Sequence, residues 1–310
     1  MENIVKIKKK SASNKIKRSS DDIAVDLIGG ILLFLCGFVA ILPFIMIAAG
    51  SVSNEKEIIA TGYSVLPKGF TLDAYKYLFS NADQVINGYK VTVFVSFFGT
   101  FLSLNIITMA SFVLYRKDFK ARNVISFFFY FTTLFNGGMV ATYIFAVRYL
   151  GIKDNLIALF LPHMFNVFYT IVMRSFMTTT VPTSIIESAK IDGANDLKIY
   201  FRIVLPLLKP ALASVGMFIF LSYWNDWSNS MLYINSSEKV SIQYLLYKTL
   251  GAAANYERVA AAGDVALSVE LPTETFKLAM TVVTILPIVF VYPFVQKYFV
   301  RGITVGAVKG

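Results

Sequence analysis

The 310-residue sequence has one cysteine, one histidine and two tryptophans, and each scarcity closes off a class of function. Cys36, lying in an apolar run, cannot form an intrachain disulfide and reads as a lipid-facing or packed thiol. With His163 as the one histidine, no Cys/His cluster has the spacing of a zinc site. His163 follows Pro162 in another apolar stretch, without a companion nucleophile or carboxylate for acid–base chemistry, and reads as a packing residue. Charge is sparse as well: 15% of residues are ionic, and although the net charge is +10, the basic residues form neither a groove-like stripe nor an RNA-type motif. A nucleic-acid partner is excluded on that ground. Internal repeats and low-complexity boundaries are missing too, so the chain reads as one domain.

What is present is hydrophobicity. Apolar residues make up 56% of the chain and aromatics 15%, with a mean hydropathy of +0.63, outside the range of ordinary soluble domains. A bilayer core needs about 20 apolar residues per helix. Six such segments can be drawn, at 24–50, 89–115, 124–147, 156–177, 209–232 and 275–296, giving an all-α integral membrane fold. With the N-terminus inside, the segments 1–23, 116–123, 174–209 and 297–310 face the cytoplasm and carry 19 of the 29 Lys and Arg residues but 7 of the 19 acids. That bias sets the orientation, with both termini cytoplasmic. The apolar run 23–50 is too long for the core of a signal peptide and is kept as a helix. Residues 1–23 then form a basic arm suited to lipid headgroups, 24–296 the six-span domain, and 297–310 a cytoplasmic tail. Pro43, Pro287 and Pro293 are expected to kink their helices.

Two outer loops, 51–88 and 229–274, are long enough to hold structure. A short surface helix is expected around 72–79, and another at 241–250 ahead of an Ala-rich, hinge-like stretch at 251–264. Asn136, Asn166 and Tyr169 fall inside spans three and four, where an unsatisfied polar group is costly. They must face the bundle or an aqueous path, as helix-to-helix hydrogen bonds or as solute contacts.

The densest patterning is SIIESAKIDGANDLKIYFRIVLP, residues 184–206, between spans four and five. Ser184 with Glu187 has the form of a capping box, so a helix is expected to start there. Ile185, Ile186 and Ala189 share one face, Gly193 interrupts, and Asn195 or Asp196 can cap a second helix. In that helix Leu197, Tyr200, Phe201, Val204 and Leu205 recur at helical spacing while Lys198 and Arg202 face away. Glu187, Ser188, Ala189, Asp192, Gly193 and Ala194, followed by Tyr200, Ile203, Leu205 and Pro206, resemble the EAA loop of permease subunits in binding-protein-dependent ABC importers. Ser188 stands where that motif usually has Ala, and Tyr200 where it usually has Phe. The resemblance extends over nearly the whole chain to the MalG-like carbohydrate permeases of the LplC/YtcP-type subgroup. It is carried by residues 62–79, 135–145, 171–176, 271–280 and 292–310.

The resemblance implies a type I importer fold that pairs with a second permease subunit as a heterodimer. It also implies two ATP-binding cassette subunits, an extracellular solute-binding lipoprotein and an oligosaccharide substrate, with membrane lipid around the whole. This chain has no GxxxxGK[ST] loop, so it is expected to be non-catalytic and to bind no cofactor, with ATP and Mg used by the partner ATPase. In that picture Glu187 and Asp192 make polar contacts in a cleft of the ATPase, Gly193 permits close approach, and Leu197, Tyr200 and Phe201 anchor the pair. Tyr223, Trp224, Asn225, Asp226 and Trp227, at the outer end of span five, offer the mixture of aromatic faces and polar groups that sugars require, or else an interfacial aromatic belt. A permease for a peptide or amino acid is the alternative within transport. A membrane enzyme would need clustered acid–base or metal residues, and a channel or secondary transporter would not need the 184–206 helix pair. Enrichment in Lys, Ile, Asn and Phe points to an AT-rich genome and, with the subgroup, to a Gram-positive plasma membrane.

Overall fold

A long apolar run in a bilayer becomes a helix because no water is present to bond its backbone. The computed structural model describes residues 20–80, 82–261 and 273–307, and among them helix is the only regular structure. Helix α1 (Ser20–Ser51) is followed by two short helices, α2 (Glu55–Thr61) and α3 (Asp73–Ser80), and by α4 (Ala82–Tyr115). Next come α5 (Arg122–Leu134) and α6 (Gly138–Ile144, extended by a π turn to Tyr149). Helix α7 (Ile157–Phe160) runs through a 3-10 turn to His163 and precedes α8 (Val167–Thr180). Then follow α9 (Thr183–Ile191), α10 (Asp196–Ile199, with a π turn at Tyr200–Val204) and α11 (Leu205–Leu207). The chain continues through α12 (Lys209–Trp224), α13 (Ser228–Tyr233), α14 (Ile242–Ala261) and α15 (Thr273–Ala307).

Helices α1 and α4 and the Glu274–Val291 part of α15 cross by themselves, and three bent pairs complete six spans. The pairs are Arg122–Leu134 with Gly138–Tyr149 at 111°, Ile157–His163 with Val167–Thr180 at 55°, and Asp196–Leu207 with Lys209–Trp224 at 82°. Span five ends as a helix at Trp224, short of the expected 232, because Asn225–Trp227 breaks it before α13. The stretch 251–261, expected to be hinge-like, continues α14 as helix, as its alanines favour; 262–264 lies outside the described residues. Helix α15 runs on into the expected tail as far as Ala307, and Pro287 and Pro293 are accommodated inside it, as Pro43 is inside α1.

Within a membrane, helices associate by close approach rather than by escape from water. Helix α4 packs chiefly on α12 and α8, using a buried row of small residues that includes Thr92, Ser96, Gly99, Ser103 and Ser111. Gly99 is required there: a Cβ at this position would lie 2.8 Å from the ring of Tyr223. That ring is 2% exposed, and its hydroxyl donates to the Phe160 carbonyl at 3.0 Å and so accepts from Ser103 at 2.9 Å, joining α12, α7 and α4. The Ser111 hydroxyl lies 2.8 Å from the Thr170 carbonyl of α8. Helix α1, by contrast, touches mainly α15, and its most apolar stretch buries nothing against the rest of the chain.

The end of the bundle opposite Arg116 is tied by carboxylates. Glu55 accepts from the Glu274 and Thr275 amides, both at 2.8 Å, which caps α15. Asp154 accepts from the Asn235 and Ser236 amides and the Ser236 hydroxyl, with Lys239 beside it at 3.2 Å. The Ser236 contacts hold its carboxyl well below the usual range.

Replacing Gly99 by Leu should push Tyr223 off Ser103 and Phe160 and destabilise the bundle by about 1–3 kcal/mol. A thermal melt in detergent should rank wild type above Gly99→Ala and that above Gly99→Leu; equal melting of all three would contradict the close contact.

Candidate functional site

Helices α9 and α10 form the expected pair, and the backbone shows why. Gly193 has φ +78°, a left-handed conformation that a side chain resists. The Ala194 amide donates to Ala189 O at 2.9 Å and the Gly193 amide to Lys190 O at 3.0 Å, the two bonds of a Schellman turn. Asn195 caps α10 by accepting from the Lys198 amide at 2.9 Å. Gly193 therefore serves the turn; among the described residues nothing lies within 4 Å of where its Cβ would be, so close approach inside this chain is not its reason.

Two expectations change. The Ser184–Glu187 capping box does not form: α9 starts one residue earlier, at Thr183, after Pro182, whose ring fixes φ at −66° and which needs no amide partner. The Glu187 side chain is thereby left exposed, with no hydrogen bond to the described residues. The apolar stripe also splits into two rows. Ile199, Tyr200, Val204 and Leu208 are buried in the chain's own core, so Tyr200 cannot anchor a partner. Leu197 at 60% and Phe201 at 52% exposure point away from that core, and Leu205 is partly covered. Ser188, Asp192 and Pro206 are exposed, while Ala189 and Ala194 pack against the core.

Sequence reasoning missed what holds the pair in place. Arg116, at the end of α4, bonds Asp118 in a fork and also bonds Asp196 of α10, while Lys190 of α9 bonds the same Asp118. Its guanidinium sits 5.8 Å from the Phe112 ring, and Tyr115 donates to Val181 O at 2.7 Å. Both helices are thus tied to the α4–α5 connection by one ion cluster. Arg116, then Lys190, hold the Asp118 carboxyl well below the usual carboxylate range. Beside the cluster an apolar cleft of about 380 Å³ opens between Met109, Val113, Phe119 and Leu197. The signal available in sequence was an acid, Asp118, beside the basic pair Arg116 and Lys117; the helix-pair partners of Arg116 and Asp118 lie 80 and 72 residues away.

The proposed path residues separate. Asn136 and Asn166 sit in the breaks of spans three and four, where their Oδ1 atoms accept the freed amides of Gly138 at 2.8 Å and Phe168 at 2.9 Å. They mend the broken helices, a use not foreseen for them. Tyr169 packs partly against the core. Tyr223 and Trp224, at 2% and 3% exposure, are core residues and not sugar faces. Asn225, Asp226 and Trp227 occupy the break after α12. There Asp226 accepts from Ser228 and Asn229 and lies 3.6 Å from His163, the carboxylate companion that sequence did not reveal.

Six spans, three of them broken, with a helix pair latched to one end, define a multi-pass membrane protein. The chain belongs to the family described as binding-protein-dependent transport system inner membrane component, whose model matches residues 106–305. It is 38% identical over 287 residues to the polygalacturonan/rhamnogalacturonan transport system permease protein YtcP of Bacillus subtilis (strain 168), covering 92% of this chain and 97% of the relative. It is also 38% identical over 281 residues to Protein LplC of the same organism, covering 90% and 93%. A solved bacterial ABC transporter involved in the import of the acidic polysaccharide alginate matches with a TM-score of 0.77 and 31% identity, over 91% of this chain and 99% of that one.

Because the depressed Asp118 stays ionised, its contribution is complete above the usual carboxylate pKa of about 4 and is lost only as pH falls below that value. Amide protection in α9 and α10 should accordingly stay constant from about pH 8 to 5. Arg116→Ala should lower it by roughly tenfold, in line with breaking a charge-assisted network. Unchanged protection in that variant would remove the cluster from the account.

Proposed function

We propose that this chain is the permease subunit of an ATP-driven, binding-protein-dependent importer of oligosaccharides, and that residues 183–206 couple it to the ATPase. The observation that carries the reading is the α9–α10 pair, which shows Glu187, Leu197 and Phe201 to the outside and is locked behind by Arg116. Exposed acidic and apolar side chains on a rigid, latched element suit a docking surface. Closure of an ATPase dimer pushes on this face. The ion cluster passes the push to the α4–α5 connection, and the 82° bend at Leu208 passes it to the Lys209–Trp224 arm of span five.

The bias of Lys and Arg supports a cytoplasmic position for this end and for both termini of the six-span domain, and the Bacillus subtilis relatives support a Gram-positive plasma membrane. The uncovered apolar surface of α1 suits a second, homologous permease with lipid around the pair. Two cassette subunits hydrolyse Mg-ATP, and an extracellular lipoprotein delivers the solute to the opposite end, built from 51–88 and 228–261. The saccharide assignment rests on the named substrates of the relatives, polygalacturonan/rhamnogalacturonan and alginate.

Affinity purification of the tagged chain from its native membrane should recover a second permease and an ATPase. A chain that returns alone and still transports after reconstitution would contradict the reading. In proteoliposomes, Gly193→Trp, which forces a side chain into a left-handed turn at a cost of about 1–2 kcal/mol, and Glu187→Ala should each cut uptake about tenfold or more without reducing membrane insertion. Wild-type uptake by Gly193→Trp would sink the coupling assignment.

A further inference from the structure

The break after span five carries more than its own residues. Trp227 stacks on Tyr247 of α14 with ring centroids 4.1 Å apart and planes 14° from parallel, and the Tyr244 ring lies 6.4 Å from Tyr247 on the same helix. Tyr247 is 45% exposed, so the stack ends at a surface. Beside it the Gln243 amide donates to Asn225 Oδ1 at 3.2 Å, and both side chains keep further donor and acceptor capacity. The frame underneath is rigid. The Ser241 hydroxyl donates to Asp226 O at 3.0 Å and accepts from the Ser230 hydroxyl at 3.0 Å, which fixes α14 against the break. Two buried donors on either side of the break, Trp224 Nε1 and Asn229 Nδ2, have no hydrogen-bond partner among the described residues. Such donors are retained where a bound molecule or water supplies the acceptor.

We propose that Trp227 and Tyr247, rimmed by Asn225 and Gln243, form a saccharide-contact site at the end of the bundle opposite Arg116. The inference rests on the importer reading and assigns one place where the solute is held. Aromatic faces take the C–H surface of a sugar ring and paired amides take its hydroxyls, a combination that suits carbohydrate better than a protein side-chain pocket. The site adjoins the His163–Asp226 pair, so it lies beside the break of span four and the end of span five. Tyr244, Gln243 and Tyr247 come from α14, which is why the sequence order around Trp227 shows only half of it.

The test uses the reconstituted importer complex carrying Tyr247→Cys in a Cys36→Ser background, treated with a methanethiosulfonate reagent. Free tetragalacturonate should slow modification about fivefold or more, whereas sugar-free binding protein should not. Slowing by the protein alone would make this a protein-docking surface and overturn the proposal; so would no slowing by tetragalacturonate in a complex that imports it. In uptake, Tyr247→Ala should lose about tenfold while Tyr247→Phe stays near wild type. The binding-protein concentration that half-stimulates ATP hydrolysis should be unchanged in both. Full uptake by Tyr247→Ala overturns the site alone, whereas a wild-type complex that imports no oligosaccharide brings down the carbohydrate reading and this site with it.

Discussion

A guanidinium at the edge of a bilayer has five N–H donors to satisfy and cannot shed its charge, so it fixes whatever carboxylates reach it. Arg116 meets that demand with Asp118 from its own connection and Asp196 from the helix pair, while Lys190 shares Asp118 Oδ2 with it. The orientation of everything between Thr183 and Leu208 depends on this arrangement. Behind it, Tyr200 and Val204 lodge in the core; in front of it, Leu197 and Phe201 are left uncovered. Without the cluster the pair would be held by one apolar row and two caps. With it, a force applied to the outside of the pair reaches α4 and span five through bonds of known partners.

The same economy governs the broken spans. A break inside a membrane frees amides that water cannot reach; Asn136 and Asn166 supply the acceptors where spans three and four break before α6 and α8, and Asp226 does the same where span five ends before α13. The polar residues of the spans are therefore largely committed to backbone. Residues still available for a solute gather where the chain returns to aromatic stacking, at Trp227 and α14.

Membrane class, span order and the site of the helix pair were legible because they depend on local periodicity and on signals within a few residues: the apolar runs, Gly193 as a turn, Asn195 as a cap. The fates of individual side chains were less legible, because they depend on partners far along the chain. Tyr200 and Phe201 are neighbours in sequence and in periodic pattern, yet one is buried and the other exposed, a difference set by the packing of α4 against the π turn. Tyr223 and Trp224 look like Trp227 in composition, but Gly99 leaves a slot for the first of them and the core closes over both. His163 lacked a carboxylate only until span five folded back beside span four. Asn136 and Asn166 were recognised as polar residues in apolar runs, but their use as caps required knowing that the helices break there.

The central claim is that the helix pair and the α4–α5 connection move as one body. Its most direct test is the distance between spin labels at Lys120→Cys and Lys198→Cys, in a Cys36→Ser background of the reconstituted complex, without nucleotide and with ATP trapped by vanadate. One unchanged, narrow distribution in both states is the predicted result. A separation that shifts by several ångströms between the states would mean that the cluster opens during the cycle, and would contradict the account.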